Sequence, residues 1–186
     1  MSNKTVVLIG PMSAGKSTVA RDLGKLTKMN RIPMDRVRWY YYLKDGFSIE
    51  KEESIGSFIE VMAYWKPFEV KAVKRVVQDF PNTIIDFGAG HSHYTDEGKL
   101  SEVKEALASV KNVILLLPSQ SKEESLKICN ERFSKMVGRE MAQTEIDVNR
   151  AFIYDKSNEE LATQVVFTKD KSPEEIAREI YEQLDN

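Results

Sequence analysis

A phosphate-binding pattern near the amino terminus constrains the fold of this chain more than any other feature. Residues Gly10–Ser17 read G-P-M-S-A-G-K-S and satisfy the pattern G-x-x-x-x-G-K-[ST] in full. An apolar run at Thr5–Ile9 precedes the pattern, and apolar residues at helical spacing follow it, so the sequence predicts a strand, a loop and a helix. A chance glycine-rich turn is the alternative, and it would not require either flanking element.

This loop supplies the groups that a triphosphate needs. Glycine lets the backbone approach closely, converging N–H groups bind phosphate oxygens, and the helix amino terminus adds partial positive charge. In this pattern Lys16 reaches the β- and γ-phosphates, and the Ser17 hydroxyl ligates Mg²⁺. The sequence therefore predicts that ATP and Mg²⁺ bind here. The predicted nucleotide-binding residues of the loop and the helix start are Gly10, Pro11, Met12, Ser13, Ala14, Gly15, Lys16, Ser17 and Thr18.

Composition and charge narrow the class of protein. A length of 186 residues suits one domain with a core, residues 1–186. The 29 acidic and 27 basic side chains nearly cancel, which disfavours nucleic acid as a partner. The single cysteine, Cys129, excludes an internal disulfide and fits a reducing compartment. No apolar run approaches the ~20 residues of a membrane span, and a polar lead precedes the first strand, so we expect no membrane partner, no signal peptide and a cytoplasmic location.

Strand and helix patterns alternate along the rest of the chain. The run N-V-I-L-L-L at Asn112–Leu117 lacks polar alternation, as expected of a central parallel strand covered on both faces. Further strands are predicted around 31–34, 83–87 and 164–168, with helices around 96–109, 121–135, 147–154 and from 172. An interrupted helical pattern covers 48–80, and Pro67 is predicted to begin a new helix within it. The pattern predicts an α/β fold, a three-layer α/β/α sandwich with a five-stranded parallel sheet.

Asp86 is the candidate metal-binding acid. It closes the predicted strand at 83–87, the position from which a carboxylate holds Mg²⁺ or its waters in proteins with this loop. With Ser17, it is the predicted metal ligand. A carboxylate that only caps the strand end is the alternative.

Two arginines flank a polar stretch that suits a mobile lid. Arg132 and Arg139 lie within the predicted helical lid, about 132–147, from which an arginine neutralises charge on a transferred phosphoryl group. Solvated surface arginines are the alternative for each. His91 and His93 lack the third ligand that a zinc site needs. We therefore expect them either to line the acceptor pocket or to lie on the surface.

With these features placed, the chain resembles the shikimate kinase family of P-loop phosphotransferases. Asp35 lies nineteen residues after Lys16, as does the family aspartate that hydrogen-bonds the acceptor hydroxyl. A salt bridge of Asp35 with Arg36 or Arg38 is the alternative role. The resemblance further implies an acceptor pocket at Gly88, Ala89, Gly90 and Arg150, with Pro173 packing near adenine. Arg150 could instead serve a structural helix salt bridge.

The sequence departs from that family on the acceptor side. The family arginine that grips the substrate carboxylate is replaced by Glu69, which would repel a carboxylate, and a companion acid is replaced by Pro33. The aromatic ribbon at 36–42 could stack on a ring-shaped acceptor or pack into the core. An acceptor-binding helical region is predicted at about 36–80.

These features predict an enzyme. The resemblance implies an ATP-dependent small-molecule kinase, in which Lys16, Asp35, Arg132 and Arg139 act catalytically and a hydroxyl group receives the γ-phosphoryl group of ATP. Shikimate itself is not the expected acceptor. A nucleoside or nucleotide kinase is one alternative, and a regulatory protein that hydrolyses ATP slowly is the other.

Overall fold

The computed structural model describes residues 4–184, and residues 1–3, which belong to the lead segment used in the signal-peptide prediction, lie outside this range. The strands are β1 (Val6–Ile9), β2 (Arg31–Pro33), β3 (Ile84–Asp86), β4 (Asn112–Leu117) and β5 (Gln164–Phe167). The helices are α1 (Lys16–Thr27), α2 (Met34–Lys44), α3 (Ile49–Glu53), α4 (Phe58–Asp79), α5 (Glu97–Leu107), α6 (Lys122–Val137), α7 (Gln143–Tyr154), α8 (Ser157–Leu161) and α9 (Pro173–Gln183), with a 3₁₀ turn at Ala89–Ser92. Over this range no helix is both long and apolar enough to cross a membrane.

The five strands of the described chain form one parallel sheet in the order β2-β3-β1-β4-β5. The register aligns Leu8 of β1 with Asp86 of β3 and with Ile114 of β4. Because parallel strands end at one edge of the sheet, the loops that follow β1 and β3 meet there with the start of α2, which follows β2 directly. The predicted α/β fold with a five-stranded parallel sheet is confirmed.

Helices cover both faces of this sheet, because alternate residues of a strand point to opposite sides. Val7 and Ile9 face a core built with α2, α4 and α5, whereas Val6 and Leu8 face a core built with α1 and α9. All four side chains are fully buried. The outer layers therefore anchor β1 on both sides, and the loop that follows it is carried on a rigid strand end.

Two helix predictions need correction. Pro67 does not begin a helix: it lies inside α4, which begins at the Ser57 cap and continues to Asp79. A proline removes one backbone donor but leaves a helix intact where tertiary packing holds both sides, and Val70 and Val73 of α4 are buried against the sheet. The helix predicted from 147 begins at Gln143, and α8 was not predicted.

Candidate active site

The phosphate-binding loop has the backbone that its glycines predict. Gly10 and Gly15 adopt φ angles of 136° and 101°, which L side chains rarely accept. A Cβ atom on Gly10 would lie 2.5 Å from the carbonyl oxygen of Leu116, so the loop can pack against β4 only with glycine at this position. At Gly15 the space is open, and the backbone angle alone explains the residue.

Lys16 is buried at the base of this loop. Its Nζ atom donates hydrogen bonds to the carbonyl oxygens of Gly10 at 2.8 Å and Pro11 at 2.7 Å. Burial lowers the pKa of this ammonium from 10.5 to about 8, although Asp35 and Asp86 act in the opposite direction. Among the described residues no carboxylate forms an ion pair with this ammonium, so its charge is available where a phosphate would lie.

Asp86 is engaged by two partners at the carboxyl end of β3. Its Oδ2 atom accepts a hydrogen bond from the Ser17 hydroxyl at 2.8 Å. Arg31 donates to both carboxylate oxygens, from Nε to Oδ1 at 2.8 Å and from Nη2 to Oδ2 at 2.7 Å. Sequence reasoning missed Arg31, whose contact follows from the register that aligns Pro33 of β2 with Asp86.

This donor set bears on the predicted metal site. The described residues contain no group of three or more His, Cys, Asp or Glu side chains that could hold a metal ion. Mg²⁺ needs only one or two protein ligands when substrate phosphates and waters complete its shell. Ser17 fits that role, whereas direct ligation by Asp86 would compete with Arg31 for the same oxygens.

Asn149 supports the loop from a distant helix and was also missed. Its Oδ1 atom accepts a hydrogen bond from the backbone N–H of Met12 at 3.0 Å, and its Nδ2 atom donates to Asn130 at 2.9 Å. The side chain is fully buried on α7. A polar residue among the apolar positions of an amphipathic helix is the signal that could have identified it.

The loop opens onto a cleft of about 510 Å³ that is also lined by residues of α2, of the turn after β3 and of α6. This cleft brings together most of the predicted site. Its lining comprises Met12, Ser13, Gly15, Lys16, Ser17, Thr18, Asp35, Phe87, Gly88, Ala89, Arg132, Phe133 and Met136. Arg132 is held there by hydrogen bonds to the Oγ1 and carbonyl oxygen atoms of Thr168, at 3.2 and 3.5 Å.

Two carboxylate groups lie close to the backbone of the glycine turn after β3. A Cβ atom on Gly88 would lie 2.2 Å from Oδ1 of Asp35, and one on Gly90 would lie 2.4 Å from Oε1 of Glu69. Both positions therefore need glycine for the carboxylates to approach the backbone. Asp35 forms no ion pair with Arg36 or Arg38 in the described structure, which leaves its carboxylate open to the cleft.

Glu69 does not act as a lone negative charge. It is buried and forms an ion pair with Lys66, Nζ to Oε2 at 2.5 Å, and the same Nζ donates to the carbonyl oxygen of Gly90 at 2.7 Å. Burial raises the pKa of the Glu69 carboxyl, and Lys66 opposes that rise. The repulsion expected of Glu69 is thus offset by Lys66, which the sequence argument omitted.

Three predicted residues, Arg139, Arg150 and Pro173, are not among those that line this cleft. Arg139 is exposed and forms a two-pronged ion pair with Glu145, at 2.8 Å for each contact. Arg150 is exposed on α7, and Pro173 occupies the first turn of α9. None of these three lines the cleft, and their roles stay predictions.

The two histidines are buried side chains. Nε2 of His91 lies 3.2 Å from the Tyr42 hydroxyl, and His93 packs edge-on against Phe152 with ring centroids 5.0 Å apart. Burial lowers the pKa of His91 well below its usual range and that of His93 to about 4. Both imidazoles are therefore neutral at neutral pH.

Comparison with known proteins relates this geometry to a fold. No family model and no curated protein matches the sequence. Shikimate kinase from Acinetobacter baumannii in complex with shikimate aligns with a TM-score of 0.68 and 18% identity, over 98% of this chain and 92% of that chain. This chain has the fold of the shikimate kinase-like P-loop kinases.

Two further structures agree. Shikimate kinase from Aquifex aeolicus aligns with a TM-score of 0.57 and 22% identity, over 97% of this chain and 95% of that chain. A gluconokinase from Sinorhizobium meliloti aligns with a TM-score of 0.59 and 14% identity, over 99% of this chain and 93% of that chain. The resemblance seen in the motifs is thereby confirmed at the level of the fold. Sequence identities this low support only the fold, so the acceptor has to be inferred from the residues of the site.

Proposed function

We propose that this chain is an ATP-dependent small-molecule kinase that moves the γ-phosphoryl group of ATP to a hydroxyl group. One observation carries the proposal: the phosphate-binding loop with Lys16 and the open carboxylate of Asp35 face the same cleft. A donor site and a group able to orient an acceptor hydroxyl are thus adjacent. Phosphoryl transfer depends mostly on such positioning and on charge stabilisation.

Each residue of the cleft has a defined task in this proposal. Backbone N–H groups of the loop and the Lys16 ammonium hold the phosphates, while Arg132 faces them from α6. Asp35 accepts the proton of the acceptor hydroxyl as its oxygen bonds to the γ-phosphorus and the bond to the ADP oxygen breaks. Gly88 leaves room for that carboxylate. Ser17 would hold Mg²⁺, with Asp86 oriented by Arg31 behind it, and the ion would offset phosphate charge.

Other predicted features belong to the same proposal. Arg139 and a lid at about 132–147 would close over the phosphates, Arg150 and Gly90 would contact the acceptor, and Pro173 would lie near adenine. The nucleoside kinase alternative depended on the aromatic ribbon. In the structure Tyr41 and Tyr42 of that ribbon are buried in the core, which reduces its support. A cytoplasmic location stays a prediction from the sequence.

Acceptor-stimulated turnover tests this proposal. ADP release from ATP and Mg²⁺ should rise severalfold with at least one member of a panel of polyols, sugars, nucleosides and hydroxy acids, because an acceptor in the cleft replaces slow hydrolysis. A coupled ADP assay measures the rise, and Lys16→Ala protein purified in parallel controls for contaminating kinases. Tight ATP binding without stimulation by any acceptor would instead favour the regulatory protein.

The pKa of Lys16 predicts how nucleotide affinity varies with pH. Phosphates next to the ammonium raise its pKa from about 8, so nucleotide binding takes up a proton once the pH exceeds that value. ADP affinity should therefore fall by about tenfold per pH unit above 8, until the bound-state pKa is reached. Calorimetry between neutral and alkaline pH measures both the affinity and the proton uptake.

The matched control is Lys16→Arg, whose guanidinium stays charged throughout this range. Its ADP affinity should not fall in the same way. In the unliganded protein a rise in pH has the opposite effect and increases the free energy of unfolding. Because the pKa of Lys16 is depressed by folding, its charged form destabilises the folded state, and this destabilisation is relieved as the pH rises from about 8 to 10.5. An equal alkaline decline in Lys16→Arg would show that another group titrates.

A further inference from the structure

One peptide group of the phosphate-binding loop is held at both of its polar ends. The carbonyl oxygen of Pro11 and the N–H of Met12 belong to this same peptide group, which is trans. The carbonyl oxygen accepts a hydrogen bond from Nζ of Lys16 at 2.7 Å, and the N–H donates to Oδ1 of Asn149 at 3.0 Å. Because a trans peptide points its carbonyl and its N–H in opposite directions, the two contacts together fix its orientation.

This peptide helps to orient the Lys16 ammonium, which has three N–H donors. Two of them bond to the carbonyl oxygens of Gly10 and Pro11, at 2.8 and 2.7 Å. Among the described residues this leaves one donor for a phosphate oxygen. If the peptide rotated by half a turn, the Pro11 carbonyl would leave the ammonium and the Met12 N–H would approach it. A donor would then face a donor, and the direction of the remaining ammonium N–H would no longer be fixed.

The amide of Asn149 is itself held in one orientation. The residue is fully buried on α7. Because a backbone N–H can only donate, the side chain must present Oδ1 to Met12, and its Nδ2 then bonds to Oδ1 of Asn130 at 2.9 Å. A flipped amide would place Nδ2 against the Met12 N–H, and the Asn130 oxygen would lose its donor. Asn130 on α6 therefore favours the orientation that holds the loop.

The segment that follows this peptide needs such support. Ser13 adopts a φ angle of 58°, in the left-handed region that residues other than glycine rarely adopt. A conformation of this kind persists where surrounding contacts fix it. The hydrogen bond within the turn, from the Ala14 N–H to the Pro11 carbonyl oxygen, is long at 3.4 Å. Because Met12 and Ser13 both line the cleft, a contact that fixes them from outside also shapes the site.

We propose that Asn149 is a positioning residue, which fixes the Pro11–Met12 peptide and through it the Lys16 ammonium in the orientation that binds the nucleotide phosphates. This inference rests on the part of the proposed function that places ATP in the loop. It adds Asn149 and its partner Asn130, neither of which lines the cleft. Since these two residues lie on the helices before and after the predicted lid, hydrogen bonds connect the loop with both ends of the lid.

ADP affinity tests this assignment. Asn149→Leu keeps a branched side chain but removes the acceptor of the Met12 N–H, so the peptide can rotate and fewer molecules hold Lys16 in the competent orientation. ADP affinity should fall by about tenfold, the effect of about one hydrogen bond on that equilibrium. Calorimetry in EDTA measures the affinity without Mg²⁺.

Asn158→Leu is the matched control. Asn158 is also buried, and its Nδ2 atom donates to the carbonyl oxygen of Phe152 on α7 at 2.8 Å. Its replacement removes an amide that supports the same helix but makes no contact with the phosphate loop. The unfolding midpoint of Asn158→Leu should fall, and its ADP affinity should equal that of the wild type.

Two further measurements separate positioning from packing. The phosphorus NMR signal of the β-phosphate of bound ADP should shift in Asn149→Leu and stay in place in Asn158→Leu, because only the first variant changes the groups around that phosphate. In a Lys16→Ala background, Asn149→Leu should weaken ADP binding by less than about twofold, because the ammonium through which Asn149 acts is already absent. Titration to millimolar ADP measures the weaker binding of that background.

Several results would overturn this assignment. They are an ADP affinity of Asn149→Leu equal to that of the wild type, equal losses in Asn149→Leu and Asn158→Leu, or a tenfold loss that persists without Lys16. If Asn149→Leu does not fold, Asn149→Ser replaces it, since its shorter side chain cannot reach Met12 in the same way and the same loss is expected. Because ADP binding is read without turnover, absence of acceptor-stimulated ADP release would count against the kinase alone. A loss independent of Lys16 in an active kinase would count against the role of Asn149 alone.

Discussion

Lys16→Ala should lower acceptor-stimulated turnover by about 10²–10³-fold, the usual cost of removing one preorganised group that stabilises developing charge. The buried ammonium lies at the base of the loop, where it donates hydrogen bonds to the carbonyl oxygens of Gly10 and Pro11 and forms no ion pair within the described range 4–184. Its charge is therefore available to the phosphates. Steady-state ADP release at saturating ATP measures the loss.

Stability supplies the control for this variant. Lys16→Ala removes a cation whose burial is unfavourable, but it also removes the donor to the carbonyl oxygens of Gly10 and Pro11, so the unfolding midpoint of the unliganded variant is measured in parallel to separate a loss of turnover from a loss of fold. Lys25→Ala, on the same helix and with an exposed side chain paired to Asp22, should keep turnover near that of the wild type. Turnover of Lys16→Ala close to that of Lys25→Ala would remove Lys16 from the proposed chemistry.

Much of the fold could be predicted because its signals are local. Asn112–Leu117 is a strand over the whole predicted range, because an unbroken apolar run is compatible with burial on both faces of a parallel sheet. The loop at Gly10–Ser17 could be predicted because both of its glycines adopt positive φ angles that other residues rarely accept. Pro67 was misjudged, since its effect on α4 depends on packing against the sheet rather than on its neighbours in sequence.

The acceptor side was less predictable because its partners are set by tertiary contacts. Arg31 reaches Asp86 only through the alignment of β2 with β3, and Asn149 reaches Met12 from a helix 137 positions away. Lys66 and Glu69 are an exception, since a spacing of three on a helix favours an ion pair. This spacing alone would have predicted that Lys66 offsets the charge of Glu69, and therefore that Glu69 repels a carboxylate less than an unpaired glutamate would.

Asp86→Ala should lower the free energy of unfolding by about 3 kcal/mol, near the lower end of the cost of removing one partner of a buried ion pair. The lower end applies because the Arg31 side chain remains 27% exposed and water can solvate its guanidinium in the variant. The Ser17 hydroxyl also loses its acceptor. Urea unfolding of the unliganded protein in EDTA measures this loss without any contribution from Mg²⁺.

The double variant Arg31→Leu/Asp86→Ala distinguishes a structural carboxylate from a metal ligand. If pairing with Arg31 is the main role of Asp86, the double variant should recover part of the lost stability, because no unpaired guanidinium remains. Glu102→Ala, which breaks the exposed pair with Lys74, should change stability by no more than about 1 kcal/mol. An unchanged unfolding free energy in Asp86→Ala, together with a large rise in the Mg²⁺ concentration needed for turnover, would instead support direct ligation. Because both oxygens of Asp86 are already bonded, the stability loss is the outcome that the geometry predicts.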